Sequence, residues 1–306
     1  MPDAARYPSA PAARAAFAGF PVHSLSATPP APPVSSRSTA ATAASATLAP
    51  AVARPSTKPA YADAPTITER SAASVRRVAP QVGCERCASR DLCMPPSLRD
   101  TQAAALVGVF GNSRKIERGE TIYRAGDAFE NLYVLRAGSS KTVALHRDGR
   151  EQITGFQISG EFIGMEGLMT GSHTLDAIAL EDSVVCAIPY QALESLSYRD
   201  RELQRHLNCL MSREIVRESA HLMLMGSMNA EERVAAFLLN LSQRYRERGY
   251  SPTDFQLRMT RDEIGCYLGL KLETVSRMLT RLQRRGLIEI SGKKTHIVDL
   301  ENLERV

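Results

Sequence analysis

Residues 260–286, TRDEIGCYLGLKLETVSRMLTRLQRRG, constrain the fold more tightly than any other stretch of the chain. Thr260 followed by Glu263 has capping-box spacing, in which two side chains satisfy backbone N–H groups that a helix start leaves unpaired, so a first helix opens there. Gly269 supplies a turn. Leu272 to Arg284 then form a second helix that Gly286 can end, because glycine accepts the left-handed backbone of a helix terminus. Two helices across a glycine turn make a helix-turn-helix, and the following LIEISGKKTHIVDL reads as a β-hairpin that makes it winged. On the second helix Val275, Leu279 and Leu282 fall on a packing face, while Glu273, Ser276 and Arg277 lie near the N-terminal end on another. At that end of a helix in the major groove an Arg can pair with guanine and a carboxylate can accept from cytosine.

Charge supports DNA as the partner locally but not globally. Residues 271–294 hold Lys271, Arg277, Arg281, Arg284, Arg285, Lys293 and Lys294 against Glu273 and Glu289, a local +5 suited to phosphate contact. A solvated helix face or a protein-contact surface would also tolerate these residues; the agreement of charge, turn and caps favours double-stranded DNA. The whole chain is likewise +5, but residues 1–80 carry eight Lys or Arg against three Asp or Glu, which leaves 30 against 30 elsewhere.

Those first 80 residues are rich in Ala, Pro, Ser and Thr, as in SATPPAPPVSSRSTAATAASATLAP, with few large apolar side chains and no periodicity. Such a segment cannot bury enough apolar surface to offset its ordering entropy, so 1–80 reads as a disordered tail. Its Arg-bearing, acid-poor composition superficially fits an organelle transit peptide; a bacterial tail, or a start placed too far upstream, is the reading preferred. No apolar run reaches membrane-spanning length, which points to a soluble, cytoplasmic protein.

The remainder divides into a cysteine-rich loop at 81–97, a β domain at 98–194, a long helix at 195–228 and the winged helix-turn-helix at 229–306, an α+β fold. Within 114–189, short β-type runs are punctuated by glycines at 119, 126, 138, 149, 155, 160 and 164, where tight turns would fall, so an antiparallel roll or barrel is expected. Residues 195–228 carry no Pro and no Gly before Gly226, and read as one helix. Along it Asn208, Met211, Ile215, Glu218, Leu222 and Met225 are spaced alternately by three and four, a heptad seam that suits a homodimer. A parallel pair would bring each Glu218 near its twin, where like charge and desolvation oppose association. The alternative is that this face packs on its own domain.

Three of the chain's six cysteines lie within eleven residues, GCERCASRDLC, as Cys84, Cys87 and Cys93. In a chain without an export signal, clustered thiols point to metal binding before disulfides. Three thiolates on one loop suit a soft metal centre, and a zinc ion or an iron–sulfur cluster wants a fourth ligand, for which Cys186, Cys209 and Cys266 are candidates. No Ser/His/Asp, paired-carboxylate or phosphate-loop constellation appears, so an enzyme reading has no site to point to.

The segments AEERVAAFLLNLSQRYRERGYSPTDFQLRMTRDEIGCYLGLKLETVSRML and GREQITGF, together with the cysteine pattern, resemble the FNR branch of the CRP/FNR transcription regulators. The similarity runs from about Cys84 to the C-terminus, is most specific at ETVSR, and does not cover the tail. It implies a cyclic-nucleotide-binding-type antiparallel β-roll, a long dimerisation helix and a C-terminal winged helix-turn-helix. It further implies a [4Fe–4S] cluster on Cys84, Cys87, Cys93 and Cys186, oxygen sensing, TTGAT-like half-sites in an inverted repeat read by Glu273, Ser276 and Arg277, and RNA polymerase as a partner. With the cluster intact the protein would be a DNA-bound dimer; with it lost, a monomer. A neighbouring branch binds cyclic AMP, but residues 151–198 contain no Lys or Arg to fork a buried phosphate, so no cyclic nucleotide is expected. A zinc-binding or heme-binding relative is the alternative, with His173 a possible heme ligand.

Overall fold

The computed structural model describes Cys87, Cys93 and residues 112–306. The tail expected over 1–80, Cys84, and the first part of the expected β domain up to residue 111 lie outside the described residues.

Eight strands form the roll as two four-stranded antiparallel sheets. One is ordered β1 (Asn112–Ile116), β8 (Ser183–Pro189), β3 (Asn131–Ala137) and β6 (Phe162–Ile163). The other is ordered β2 (Thr121–Tyr123), β7 (Asp176–Ala179), β4 (Ser139–Leu145) and β5 (Glu151–Ile158). Alternation puts Leu132 and Val134 with Ile188 on one buried face of β3 and β8, and Leu135 with Val185 on the other, also buried. Six of the seven glycines expected at turns adopt the left-handed backbone, with φ from 84° at Gly119 to 98° at Gly138. Gly155 does not. It lies within β5, opposite Thr142 at a register shift, and a Cβ there would meet Thr142 Oγ1 at 3.0 Å and Gln157 Nε2 at 2.8 Å. Close approach at a bulge, rather than a turn, requires this glycine.

The helix expected over 195–228 is two helices, α1 (Tyr190–Ser197) and α2 (Arg201–Ser227). Asp200 has extended backbone and its carboxylate accepts from the N–H groups of Glu202 and Leu203, so it starts a new helix where the sequence pattern runs on. Among the described residues no helix is long and apolar enough to cross a membrane.

The C-terminal part contains α3 (Ala230–Glu247), β9 (Asp254–Gln256), α4 (Arg261–Leu268), α5 (Leu272–Arg284), β10 (Ile288–Ser291), β11 (Lys294–Ile297) and α6 (Leu300–Glu304). β9 pairs with β11 and widens the wing to three strands, an addition the sequence pattern does not announce. Val143, Ile153, Phe156 and Leu180 of the roll belong to the same apolar cluster as Val234, Phe237, Leu268, Val275 and Leu282. Burying each large side chain stabilises the fold by about 1.5–3 kcal/mol, so the contact between roll and winged helix is part of the core.

Candidate functional site

The helix-turn-helix is built by local chemistry. Thr260 Oγ1 accepts from the Glu263 N–H at 3.1 Å, and Glu263 Oε2 accepts from the Thr260 N–H at 2.7 Å. Gly269 closes α4 at φ 63°, with its N–H bonded to the Gly265 carbonyl. A Cβ on Gly265 would fall 2.5 Å from the Leu270 carbonyl oxygen, so this glycine lets the turn fold back onto α4. Val275, Leu279 and Leu282 of α5 are all buried.

That packing turns Glu273 and Arg277 out to solvent near the start of α5. Ser276 is half-buried, and its Oγ accepts from Arg261 Nη1 at 3.2 Å. Not every cation of the basic segment is equally available. Arg281 and Arg285 pair with Glu231 at the start of α3, at 3.2 Å and 2.7 Å, whereas Lys271, Arg284, Lys293 and Lys294 are exposed.

On α2, Met211 (39 % exposed), Ile215 (67 %) and Leu222 (72 %) form an open apolar stripe, with Met223 beside it. Glu218 sits in this stripe. Partial desolvation, then the neighbouring Glu214, raises its carboxyl above the ordinary value, against the opposing pull of Arg217. Met225, expected to continue the seam, turns instead into its own chain. It packs on the core cluster, and its Cε would be 2.5 Å from a Cβ on Gly269. Arg233 anchors this corner by donating to the carbonyls of Met225, Met228 and Leu268.

Cys186, in β8, and Cys93 pack against one apolar cluster made by Leu132, Val134, Ile188, Leu193 and Leu203, with Leu207 also against it. Cys87 is half-buried, and Cys84 lies outside the described residues. Among the described residues no three His, Cys, Asp or Glu side chains converge to hold a metal ion. His206 on α2, which sequence reasoning passed over, hydrogen-bonds the backbone of Cys93. Burial first, and Arg213 next, push its imidazole below the ordinary value, with that hydrogen bond opposing them.

The other thiols have different surroundings. Cys209 is exposed on α2. Cys266 is half-buried on α4 at the contact with the roll, where its Sγ accepts from the Ile153 N–H at 3.2 Å and its carbonyl accepts from Gln152 Nε2 at 2.6 Å. His173 is 2 % exposed, stacks on Tyr123 at 3.8 Å between centroids, and contacts Glu166 Oε1 through Nδ1 at 3.1 Å. A heme ligand binds through a ring nitrogen, and here Nδ1 is already engaged by Glu166.

The turn sequence SGEFIG, residues 159–164, lies in the stretch without Lys or Arg. No Lys or Arg lies near Glu161 in sequence, yet Glu161 is 5 % exposed and bonded to Arg244 of α3 and to Arg248 at the C-cap of α3. Its basic partners come from 83 and 87 residues further along the chain.

Comparison with known proteins agrees with this geometry. Residues 113–200 match the cyclic nucleotide-binding domain family and residues 232–306 the Crp-like helix-turn-helix domain family. The transcriptional activator protein Anr of Pseudomonas protegens is 43 % identical over 219 residues, covering 72 % of this chain and 90 % of that protein. The anaerobic regulatory protein of Pasteurella multocida is 40 % identical over 219 residues, covering 72 % of this chain and 80 % of its own. Among solved structures, FixK2 from Bradyrhizobium japonicum superposes with a TM-score of 0.58 at 32 % identity, covering 63 % of this chain and 95 % of that one. With a β-roll, a long helix and a winged helix-turn-helix in this order, and with these relatives, the chain belongs to the CRP/FNR family of transcription regulators, which bind DNA and act as dimers.

Proposed function

We propose that this regulator senses oxygen through a [4Fe–4S] cluster on Cys84, Cys87, Cys93 and Cys186, and that the state of this centre controls dimerisation along α2 and hence operator binding. The observation that carries the reading is the packing of Cys93 and Cys186 on the apolar cluster that includes Leu203 and Leu207 of α2. A change in the cysteine loop therefore bears on the helix that presents Met211, Ile215 and Leu222. Half-buried, soft thiol donors suit an iron–sulfur centre, and one relative is named an anaerobic regulatory protein. When bound, the cluster supplies an oxygen-labile centre; the chain's own residues convert its presence into association.

In this reading 81–97 is the sensing loop, 98–194 the roll, 195–228 the dimerisation segment and 229–306 the DNA reader. His206 ties the Cys93 backbone to α2, and Leu203 and Leu207 transmit the position of the loop. Glu218 opposes apolar association along Met211, Ile215 and Leu222, which keeps the monomer–dimer equilibrium near balance. A dimer presents two α5 helices to half-sites about one helical turn, roughly 34 Å, apart. Glu273, Ser276 and Arg277 read TTGAT-like half-sites there, and RNA polymerase is the partner at promoters. Tyr123 and His173 stack, buried, within the roll, with Phe129 edge-on to His173, and this reading takes the roll as a scaffold without a cyclic nucleotide.

Protein purified without oxygen should be brown, contain about four irons per chain and bleach in air. Stoichiometric zinc, or no visible absorbance, would overturn the cluster reading.

A further inference from the structure

The buried carboxylate of Glu161 is saturated. Its Oε1 accepts from Arg244 Nε at 2.9 Å and from Arg248 Nη2 at 2.8 Å. Its Oε2 accepts from the Ile158 N–H at 3.0 Å and from Arg244 Nη2. The guanidinium groups are held in turn, with Arg244 Nη2 donating to the Phe156 carbonyl at 2.6 Å and Arg248 Nε to the Ser159 carbonyl at 2.7 Å. One turn of the roll, between β5 and β6, is thus forked by Arg244 on α3 and by Arg248 one helical turn later, at the C-cap of α3.

A buried ion group of this kind contributes little net stability, since an apolar replacement of similar volume is often as stable. What it supplies is direction: a planar guanidinium meets a carboxylate in few orientations. The rest of this contact includes side chains that can slide, namely Phe156 against Phe237 and Tyr267, at 6.0 Å and 5.2 Å between centroids. Directional contacts also cross here from Ile153 N–H to Cys266 Sγ, from Gln152 Nε2 to the Cys266 carbonyl and from Lys141 Nζ to Glu263; among them the fork is the buried, doubly bridged ion group, and it holds register at the β5–β6 turn. Because α3 carries Glu231, which pairs with Arg281 and Arg285 of α5, a fixed α3 also fixes α5.

We infer that Glu161 is a positioning residue for operator recognition, and that its fork with Arg244 and Arg248 holds the winged helix at one orientation on the roll and so sets the half-site spacing the dimer accepts. The inference rests on the family's dimeric DNA binding and not on the cluster reading. When two reading heads are rigidly held, the second half-site binds at high effective concentration only if its distance and rotation match. Adding one base pair shifts a half-site by about 3.4 Å and rotates it by about 34–36°, which a rigid dimer penalises and a loosened one tolerates.

The test compares the full-length parent with Glu161→Gln and with the milder Arg248→Met, purified without oxygen. Sedimentation reports dimerisation. Mobility-shift titrations use a TTGAT-type inverted repeat, the same repeat with one base pair added to or removed from its spacer, and a duplex carrying a single half-site. The variants should dimerise like the parent and bind the single half-site within about twofold, yet lose about tenfold on the correctly spaced repeat. Their penalty for altered spacing should also shrink. Parental affinity with an undiminished spacing penalty would overturn the inference, as would an equal loss on single and paired half-sites, which marks simple damage to the fold. Hydrogen exchange decides the matter independently of any DNA sequence. Exchange should rise in β5, β6 and α3 while α4 and α5 stay protected, and unchanged exchange at the contact would equally overturn the proposal.

Discussion

Met225 at the end of α2 closes over Gly269 in the turn of the helix-turn-helix, leaving no room for a β-carbon between them. The long helix and the DNA reader therefore meet through a thioether and a glycine at φ 63°. Gly269→Ala should lower stability by about 1–3 kcal/mol, because it combines left-handed strain with that clash. Urea unfolding measures this loss, and an unchanged midpoint would show that the turn relaxes at no cost.

Arg277 and Arg284 should separate specificity from affinity. Arg277→Ala should cost about 1–3 kcal/mol on the operator and relax preference at one base, whereas Arg284→Ala should weaken operator and scrambled DNA alike. If Arg277→Ala keeps full discrimination in a mobility-shift titration, α5 is not the reading helix assigned here.

These two residues also show what was legible from residues alone. Capping boxes, glycine turns and the Val275, Leu279, Leu282 stripe depend on neighbours three or four positions away, so Leu272–Arg284 stands in the fold with the bounds the pattern predicts. The break at Asp200, the bulge at Gly155 and the inward turn of Met225 depend on partners that periodicity does not encode. The pairing of Glu161 with Arg244 spans 83 residues. No local pattern reports such a contact, because a carboxylate with no cation nearby in sequence can find two from far along the chain. The cysteine set came from spacing and resemblance, whereas His206 gave no signal, since a single His on a helix marks nothing until its neighbour is known.

Ser substitution at Cys84, Cys87, Cys93 or Cys186 should abolish the visible absorbance of anaerobic protein, while Cys209→Ser and Cys266→Ser should retain it. His206→Ala should retain colour but couple it less well to dimerisation, and should raise the labelling rate of Cys93 in protein stripped of iron. Loss of colour in Cys209→Ser or Cys266→Ser would reassign the fourth ligand.

Glu218→Ala should dimerise in air. Removing two facing carboxylates needs to contribute only about 1.4 kcal/mol to shift the dimerisation constant tenfold. The carboxyl lies above its ordinary value in the single chain, so it takes up a proton more readily than a free carboxylate, and acidification through the carboxylate range should promote association of the parent. Association should weaken again as pH rises through the raised value. Sedimentation of both proteins across that range decides the point; a variant as monomeric as the parent means that Glu218 does not face its twin.

Glu161 should have the opposite pH signature. Burial alone would raise its carboxyl, but Arg244 foremost, with Arg217 and Arg248, brings it down from 4.5 to about 2. Its ionised form therefore contributes stability in full above the ordinary carboxylate value, and that contribution is lost as pH falls towards about 2. Thermal melts should show the parent losing its advantage over Glu161→Gln across this interval, and parallel pH profiles would refute the assignment.

The apolar cluster that runs from Val143 and Phe156 of the roll to Phe237 and Leu268 of the reader has an evolutionary consequence. A reader cut free at residue 229 would carry an uncovered apolar face, and a reader borrowed from another protein would meet a roll shaped for different side chains. Roll and reader must diverge together. A substitution that retunes DNA choice on the exposed side of α5 leaves the shared face alone, so operator preference can drift while the seat of the reader on the roll is inherited almost unchanged.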